Sequence, residues 1–155
     1  MPINAKRKGF TVIELVISLA IMGALLAVIL PSFISFRRSS ALNTEAEDLV
    51  TVINRARLLS VSSKNDQQFG VHFSTDRVTL YQGPTYSATD PANEIHILNS
   101  LVALSGTTIN GGGSEVLFQK VTGATTQNAT TTLLVTGTSA STTILILPTG
   151  VVTVN

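Results

Sequence analysis

The feature that most constrains this chain is an apolar run near its amino terminus, from Phe10 to Leu30. A helix of that length covers about 31 Å at about 1.5 Å per residue, which matches the hydrocarbon core of a bilayer. Glu14 is the single charged residue in the run. The segment therefore predicts a membrane-spanning helix that carries one carboxylate near its start.

Basic residues before the run set its orientation. Lys6, Arg7 and Lys8 predict a cytoplasmic amino terminus and place everything after Pro31 on the far side of the membrane. A cleaved secretory signal peptide is the rival interpretation, but its apolar stretch is about 7 to 15 residues long and ends in a small-x-small site. Pro31-Ser32-Phe33 offers no such site. A single-span anchor with its amino terminus inside fits better.

Glu14 is costly in such an anchor. A carboxylate at the centre of a membrane helix costs about 2.5 to 3.5 kcal/mol on insertion scales, and intramembrane acids are functional by default. The length of the run explains the anchor, but it does not explain the acid.

The residues "KGFTVIELVISLAIMGALLAVILP" resemble the amino-terminal segment of type IV pilins and of the pseudopilins of type II secretion systems. The resemblance implies that a prepilin peptidase cuts between Gly9 and Phe10 and methylates the new amino group of Phe10. It also implies that Glu14 neutralises the amino terminus of a neighbouring subunit during filament assembly. A buried ion pair can fix the register between two subunits, because any alignment that separates the partners leaves a buried charge unpaired.

Gly23 and Pro31 lie where this family carries helix-weakening residues, so the resemblance implies local loosening of the helix in a filament. Two structural explanations stay open from the residues alone. Gly23 permits close helix packing, and Pro31 kinks a helix at the membrane exit.

Beyond Pro31 the pattern becomes amphipathic, with apolar residues at helical spacing. The predicted buried stripe is Leu42, Ala46, Leu49, Val50, Ile53 and Ala56. Charged residues mostly occupy the other faces: Arg37, Arg38, Glu45, Glu47, Asp48, Arg55 and Arg57. Either a new helix starts at Asn43 or Thr44, or one helix continues from the membrane, bends near Pro31 and ends between Ser60 and Asn65.

The carboxy-terminal half reads as short strands rich in β-branched and aromatic residues. The predicted strands are 69–73, 77–83, 94–98, 115–121, 131–136, 142–147 and 151–154. Turns are expected at 74–76 and 148–150, and a hairpin turn at 111–113. Residues 122–143 suggest a long exposed hairpin or a weakly ordered loop. The fold class is α+β, pilin-like, with a long amino-terminal helix packed on one antiparallel sheet or on two sheets.

Two passages, "FGVHFSTDRVTLYQG" and "TILILPTGVVTV", resemble strand pairs of the GspH/FimT-type minor pseudopilins. The chain has no cysteine, unlike the many major pilins that close a disulfide loop. Its acids after Asp66 do not form the calcium loop expected of a major pseudopilin. Both departures favour a minor subunit.

Catalytic and ligand motifs are sparse. His72 and His96 each sit inside a predicted strand, where a solvent-facing or hydrogen-bonded role is expected. A zinc site needs three or four ligands, and residues 106–113 lack the Lys-Ser/Thr of a phosphate loop. From Ser32 onward seven Lys and Arg residues stand against eight Asp and Glu, which does not favour a nucleic-acid partner. We expect no enzyme activity, metal or cofactor.

The sequence therefore predicts a minor pseudopilin of a type II secretion pseudopilus, with a type IV pilus subunit for adhesion, motility or DNA uptake as the alternative. A membrane-anchored enzyme or binding module and an exported soluble protein are more distant alternatives. The expected partners are a prepilin peptidase, other pilin or pseudopilin subunits and an inner-membrane assembly platform. The expected segments are a leader (1–9), a membrane helix (10–31), an amphipathic helix (32–65) and a β-rich domain (66–155). The expected location is the bacterial inner membrane and then a periplasmic filament.

Overall fold

The structure is a computed structural model that describes residues 9–155, so Lys6, Arg7 and Lys8 lie outside the described residues. Contacts between Cα atoms divide the chain into two compact units, the first ending at Arg37 and the second running from Arg38 to Asn155. The elements in chain order are α1 (Val12–Val61), β1 (Phe69–Ser74), β2 (Arg77–Gln82), β3 (Glu94–Ile97), β4 (Val102–Ile109), β5 (Glu115–Phe118), β6 (Ala129–Val135), β7 (Ser141–Ile146) and β8 (Val152–Val154).

The first unit consists of the early turns of α1. Every described residue up to Arg37 is exposed, including the long apolar side chains between Val12 and Leu30. Within residues 9–155, α1 is the one helix that is long and apolar enough to cross a membrane. The first unit thus presents an apolar surface that nothing in the described chain covers.

In the second unit, α1 buries the predicted stripe. Leu42, Ala46, Leu49, Ile53 and Ala56 are buried, whereas Val50 is only partly buried. Asn43 and Thr44 lie inside the helix, so the prediction of one continuous helix is confirmed over the prediction of a new start. Its end at Val61 falls in the predicted interval.

The β-strands form two antiparallel four-stranded sheets, in the orders β3-β2-β1-β5 and β4-β6-β7-β8. Alternate residues face a common core with the stripe of α1, as the period of two in a strand requires. In the first sheet Val71 pairs with Leu80 on one side and Val116 on the other, and all three are buried. The α+β prediction is confirmed, in its two-sheet form.

All seven predicted strands are present, with ends shifted by at most three residues, but β4 was not predicted. A register shift between Leu104 and Gly106 leaves Ser105 without a partner on β6. Such a bulge inserts one extra residue, so even-numbered residues face the core before the bulge and odd-numbered residues face it afterwards. The buried residues Val102, Leu104 and Ile109 therefore do not alternate in the sequence.

The prediction of an exposed or weakly ordered segment at 122–143 was wrong. Strand β6 lies inside the second sheet between β4 and β7, and Thr131 and Leu133 are fully buried. The hydroxyls of Thr131 and Thr107 lie 2.8 Å apart and satisfy each other. A threonine with a paired hydroxyl presents its methyl group to the core. The strand at 131–136 was predicted, but its Thr-rich composition concealed that it is buried.

The prediction of a hairpin turn at 111–113 was also wrong. These glycines connect β4 to β5, which belong to different sheets. All three have positive φ, a conformation that glycine adopts without steric penalty. The segment is therefore a crossover between sheets. The turns predicted at 74–76 and 148–150 are confirmed by the pairings of β1 with β2 and of β7 with β8.

The end of α1 is fastened to the loops after β5 and β7. Arg57 Nε donates to the carbonyl oxygen of Gly123 at 3.3 Å. Gly150 has φ +76°, and a Cβ at that position would collide with the same carbonyl oxygen and lie 2.9 Å from Arg57 Nε. Only glycine therefore allows the loop after β7 to approach this close.

We predict that Gly150→Ala destabilises the β domain by about 2 to 4 kcal/mol, because it adds a steric clash to left-handed strain. Gly111→Ala is the matched control. It has φ +91° and open space around it, so it should cost only about 1 to 2 kcal/mol. Tyrosine fluorescence during denaturant unfolding in detergent measures both, because Tyr81 and Tyr86 are the only tyrosines. Equal losses for the two variants would contradict the close approach at Gly150.

Candidate functional site

The predicted cleavage position lies just before α1. Gly9 and Phe10 have no regular secondary structure, and the Phe10 side chain is 87% exposed. The Gly9–Phe10 peptide bond precedes the first helical residue, Val12, and nothing lies within 4 Å of where a Cβ on Gly9 would stand. Within residues 9–155, no residue covers this bond.

Thr11 caps the start of the helix. Its Oγ1 accepts the backbone N–H of Glu14 at 3.3 Å, and its carbonyl accepts the N–H of Leu15 at 3.2 Å. A threonine followed three residues later by a glutamate is a recognised helix-start pattern. The same pattern places Glu14 in the first turn, where the helix dipole favours a negative charge.

The Glu14 carboxylate is exposed and forms no salt bridge within residues 9–155. One turn later, Ser18 Oγ donates to the backbone carbonyl of Glu14 and leaves the carboxylate untouched. Gly9, Phe10 and Glu14 thus lie within six consecutive residues of the chain. The carboxylate is available to a partner outside this protomer.

Gly23 and Pro31 both lie inside α1, with open space around the Cα of Gly23. Pro31 has no N–H to donate to the carbonyl of Ala27, which removes one helical hydrogen bond. Their role in loosening the helix stays a prediction.

The main polar site of the β domain was missed by the sequence analysis. Glu45 was assigned to the exposed side of α1, yet it is only 5% exposed. Its Oε1 lies 2.7 Å from His96 Nε2, and its Oε2 accepts the N–H of Asn99 at 2.8 Å. Glu45 lies three residues after Leu42 and four before Leu49, so the helical spacing of the stripe contained the signal.

These contacts attach β3, the edge strand of the first sheet, to α1. At the other end of β3, Arg55 pairs with Glu94 at 2.9 Å, although this pair is half exposed and contributes little. His96 is a hydrogen-bonded strand residue, as predicted. The Glu45 contacts position an edge strand and do not surround a vacant ligand position.

His72 is the second polar centre, and the prediction of a satisfied strand histidine is again confirmed. Its ring stacks on Tyr86 with centroids 3.9 Å apart, and its Nε2 lies 3.0 Å from Ser114 Oγ. Its Nδ1 lies 3.5 Å from Ser74 Oγ. Burial lowers the pKa of His72, and the nearby Glu115 carboxylate opposes that shift. Both ring nitrogens face serines, so no carboxylate orients the ring as a hydrolytic triad requires.

Tyr81 lies beside this cluster, with its ring across Gly70. Its hydroxyl is buried and makes no hydrogen bond within the described chain. Burial, reinforced by the negative charge of Glu115, raises the pKa of Tyr81. Among residues 9–155, no three His, Cys, Asp or Glu side chains are close enough to hold a metal ion.

Comparison with known protein families gives a match at the amino terminus. Residues 4–30 match the family described as the prokaryotic N-terminal methylation motif. The chain therefore carries this motif at its amino terminus. The match covers the positions of the predicted cleavage, of Phe10 and of Glu14, together with the whole apolar run from Phe10 to Leu30.

Comparison with solved structures gives the fold. The chain is similar to the minor pseudopilin EpsH from the type 2 secretion system of Vibrio cholerae, with a TM-score of 0.56 and 15% sequence identity. The similarity covers 74% of this chain and 95% of EpsH. No curated protein sequence matches. The chain thus has a fold like that of this minor pseudopilin, as expected from the sequence.

We predict that Glu45→Ala destabilises the β domain by about 1 to 3 kcal/mol, because it leaves His96 and the Asn99 N–H without their buried acceptor. Glu47→Ala is the matched control on the exposed side of α1 and should stay within about 0.5 kcal/mol of the parent. The denaturant midpoint of tyrosine fluorescence reports both. A Glu45→Ala midpoint equal to that of Glu47→Ala would contradict the anchoring role.

Proposed function

We propose that this chain is a structural subunit, a minor pseudopilin of a type II secretion pseudopilus. It is made as a precursor, cut between Gly9 and Phe10 by a prepilin peptidase, and methylated on Phe10. It then assembles through α1 with other pilin-type subunits on an inner-membrane platform and supports protein export. The observation that carries the proposal is the methylation motif at residues 4–30, which extends into a helix with an uncovered apolar surface.

The exposed apolar surface of α1 supports a proposal in which the helix lies first in a bilayer and then among the helices of other subunits. Soluble monomers rarely leave apolar surface of this extent in water, because burying it is worth about 25 cal/mol per Å². A bilayer covers it before assembly, and the helices of other subunits cover it in a filament. The basic leader supports insertion with the amino terminus in the cytoplasm and the β domain in the periplasm.

Glu14 makes the transfer of the helix from the bilayer to the filament specific. Its carboxylate has no salt-bridge partner within residues 9–155, and cleavage before Phe10 creates a new amino group four residues away along the chain. In an apolar bundle the amine of one protomer and the carboxylate of another neutralise each other, whereas either alone is strongly unfavourable. The pair sets the register between neighbours.

The similarity to a minor pseudopilin supports a secretion filament over the pilus alternative. A structural role agrees with the polar centres of the β domain, which are engaged in anchoring edge strands and loops. The expected absence of enzyme activity stays part of the proposal.

We predict that Glu14→Gln inserts normally into the inner membrane but enters filaments at a level about tenfold or more below the parent. The reason is that it leaves the amino group of a neighbour without a negative partner in an apolar bundle. Ser18→Ala is the matched control one turn later and should assemble normally. Immunoblots of the membrane fraction measure insertion, and immunoblots of filaments pelleted after the outer membrane has been opened measure incorporation. Equal incorporation of Glu14→Gln and parent would refute the register role.

A further inference from the structure

A cleft of about 300 Å³ lies between the loop that follows β2 and the crossover that precedes β5. Its walls include His72 on β1, Glu115 on β5, Tyr86 in the loop after β2, and Ser114 and Gln127. This volume is at the small end of the range for ligand sites, about 300 to 1,000 Å³. The cleft therefore has room for one side chain or one small molecule.

The strand register places this cleft on the side of the first sheet that faces away from the core. His72 pairs with Glu115 across β1 and β5, and both are partly exposed. Their chain neighbours Val71 and Val116 are fully buried, so the period of two in a strand turns His72 and Glu115 outward. A partner outside this protomer can therefore reach both side chains.

Glu115 gives the cleft a negative charge that no neighbour balances. Its Oε2 accepts the backbone N–H of Tyr86 at 3.1 Å, but its carboxylate takes part in no salt bridge within residues 9–155. Burial lowers the pKa of His72, so that ring is uncharged at neutral pH. Arg77 lies on the same face of the sheet, but it is paired with Asp76 at 2.8 Å.

Tyrosine rings lie beside this carboxylate. Tyr86 stacks on His72 and meets Tyr81 edge to face, with the two tyrosine centroids 5.7 Å apart. Aromatic rings attract cations, and the aliphatic stems of lysine and arginine pack along apolar surface. The cleft thus matches a cationic side chain in charge and in surface. It repels anions, and a single carboxylate supplies too few ligands for a metal ion.

We propose that this cleft binds a lysine or arginine side chain from a different subunit of the filament, an inference that rests on the proposed function. The cationic group lies against Glu115, and its aliphatic stem lies along the ring of Tyr86. The occupant belongs to another chain because a minor subunit is bordered by subunits of other sequence. Charge complementarity contributes mainly to specificity, so the contact selects which neighbour the β domain accepts.

Binding of capped amino acids to the purified full-length chain in detergent tests the cleft directly. Tyr81 and Tyr86 are the only tyrosines and the chain has no tryptophan, so tyrosine fluorescence reports from the cleft. N-acetyl-lysine amide and N-acetyl-arginine amide should each give a saturable change. N-acetyl-norleucine amide has a similar stem without the charge, and it should bind at least about fivefold more weakly.

Glu115→Gln removes the charge and keeps an oxygen that accepts the N–H of Tyr86. It should weaken binding of the lysine probe by at least about fivefold, with an unchanged denaturant midpoint. Glu94→Gln is the matched control, because Glu94 is also a strand acid but is paired with Arg55, and it should bind within about twofold of the parent. Equal binding of lysine and norleucine probes by the parent, or parent-like lysine binding by Glu115→Gln, would overturn the proposal.

Incorporation into filaments in the host tests the occupant. Glu115→Gln should enter pelleted filaments at a level at least about threefold below the parent, and Glu94→Gln at the level of the parent. Normal incorporation of Glu115→Gln would overturn the assignment to a filament subunit and leave the proposed function intact. A parent that binds the lysine probe but never enters filaments would remove the proposed function, and the subunit as occupant with it.

Discussion

The structure depends on the division of α1 into an apolar part that is left uncovered and a part that packs in the β domain. Up to Arg37 the side chains of α1 are exposed and predominantly apolar, and after Arg38 the same helix buries a stripe of Leu, Ile and Ala against two sheets. The apolar stripe of the second part is buried within the protomer itself. The first part has no cover within the described residues, and under the proposed function a membrane and then the helices of other subunits supply it.

Two buried polar residues fasten the β domain to α1. Glu45 holds the edge strand β3 and the loop after it, and Ser60 Oγ contacts both the N–H and the carbonyl of Phe69 at the start of β1. Both residues lie on the buried stripe, and both satisfy backbone or side-chain groups that would otherwise be unpaired in the core. They explain how the helix and the first sheet keep a defined register without a disulfide.

The helix and most strands could be predicted from the sequence because their periodicity is local. The apolar run, the 3–4 spacing from Leu42 to Ala56 and the β-branched strands need no knowledge of their neighbours. The strand β4 and the burial of Thr131 and Glu45 could not be predicted in this way. The pattern of β4 depends on a bulge at Ser105, the burial of Thr131 on its hydroxyl pair with Thr107, and the burial of Glu45 on its contact with His96. Each of these depends on a partner from elsewhere in the chain. The motif that includes Gly9, Phe10 and Glu14 could be read from the sequence because its residues are neighbours along the chain, and their roles in cleavage and assembly stay predictions.

The central claim is that α1 begins at a new amino terminus in the working protein. Mass spectrometry of the amino-terminal peptide, from protein isolated from the host membrane and from its filaments, tests this directly. The account predicts a chain that starts at Phe10 and carries one methyl group on its amino nitrogen. Filaments built from chains that retain Met1 to Gly9 would contradict it.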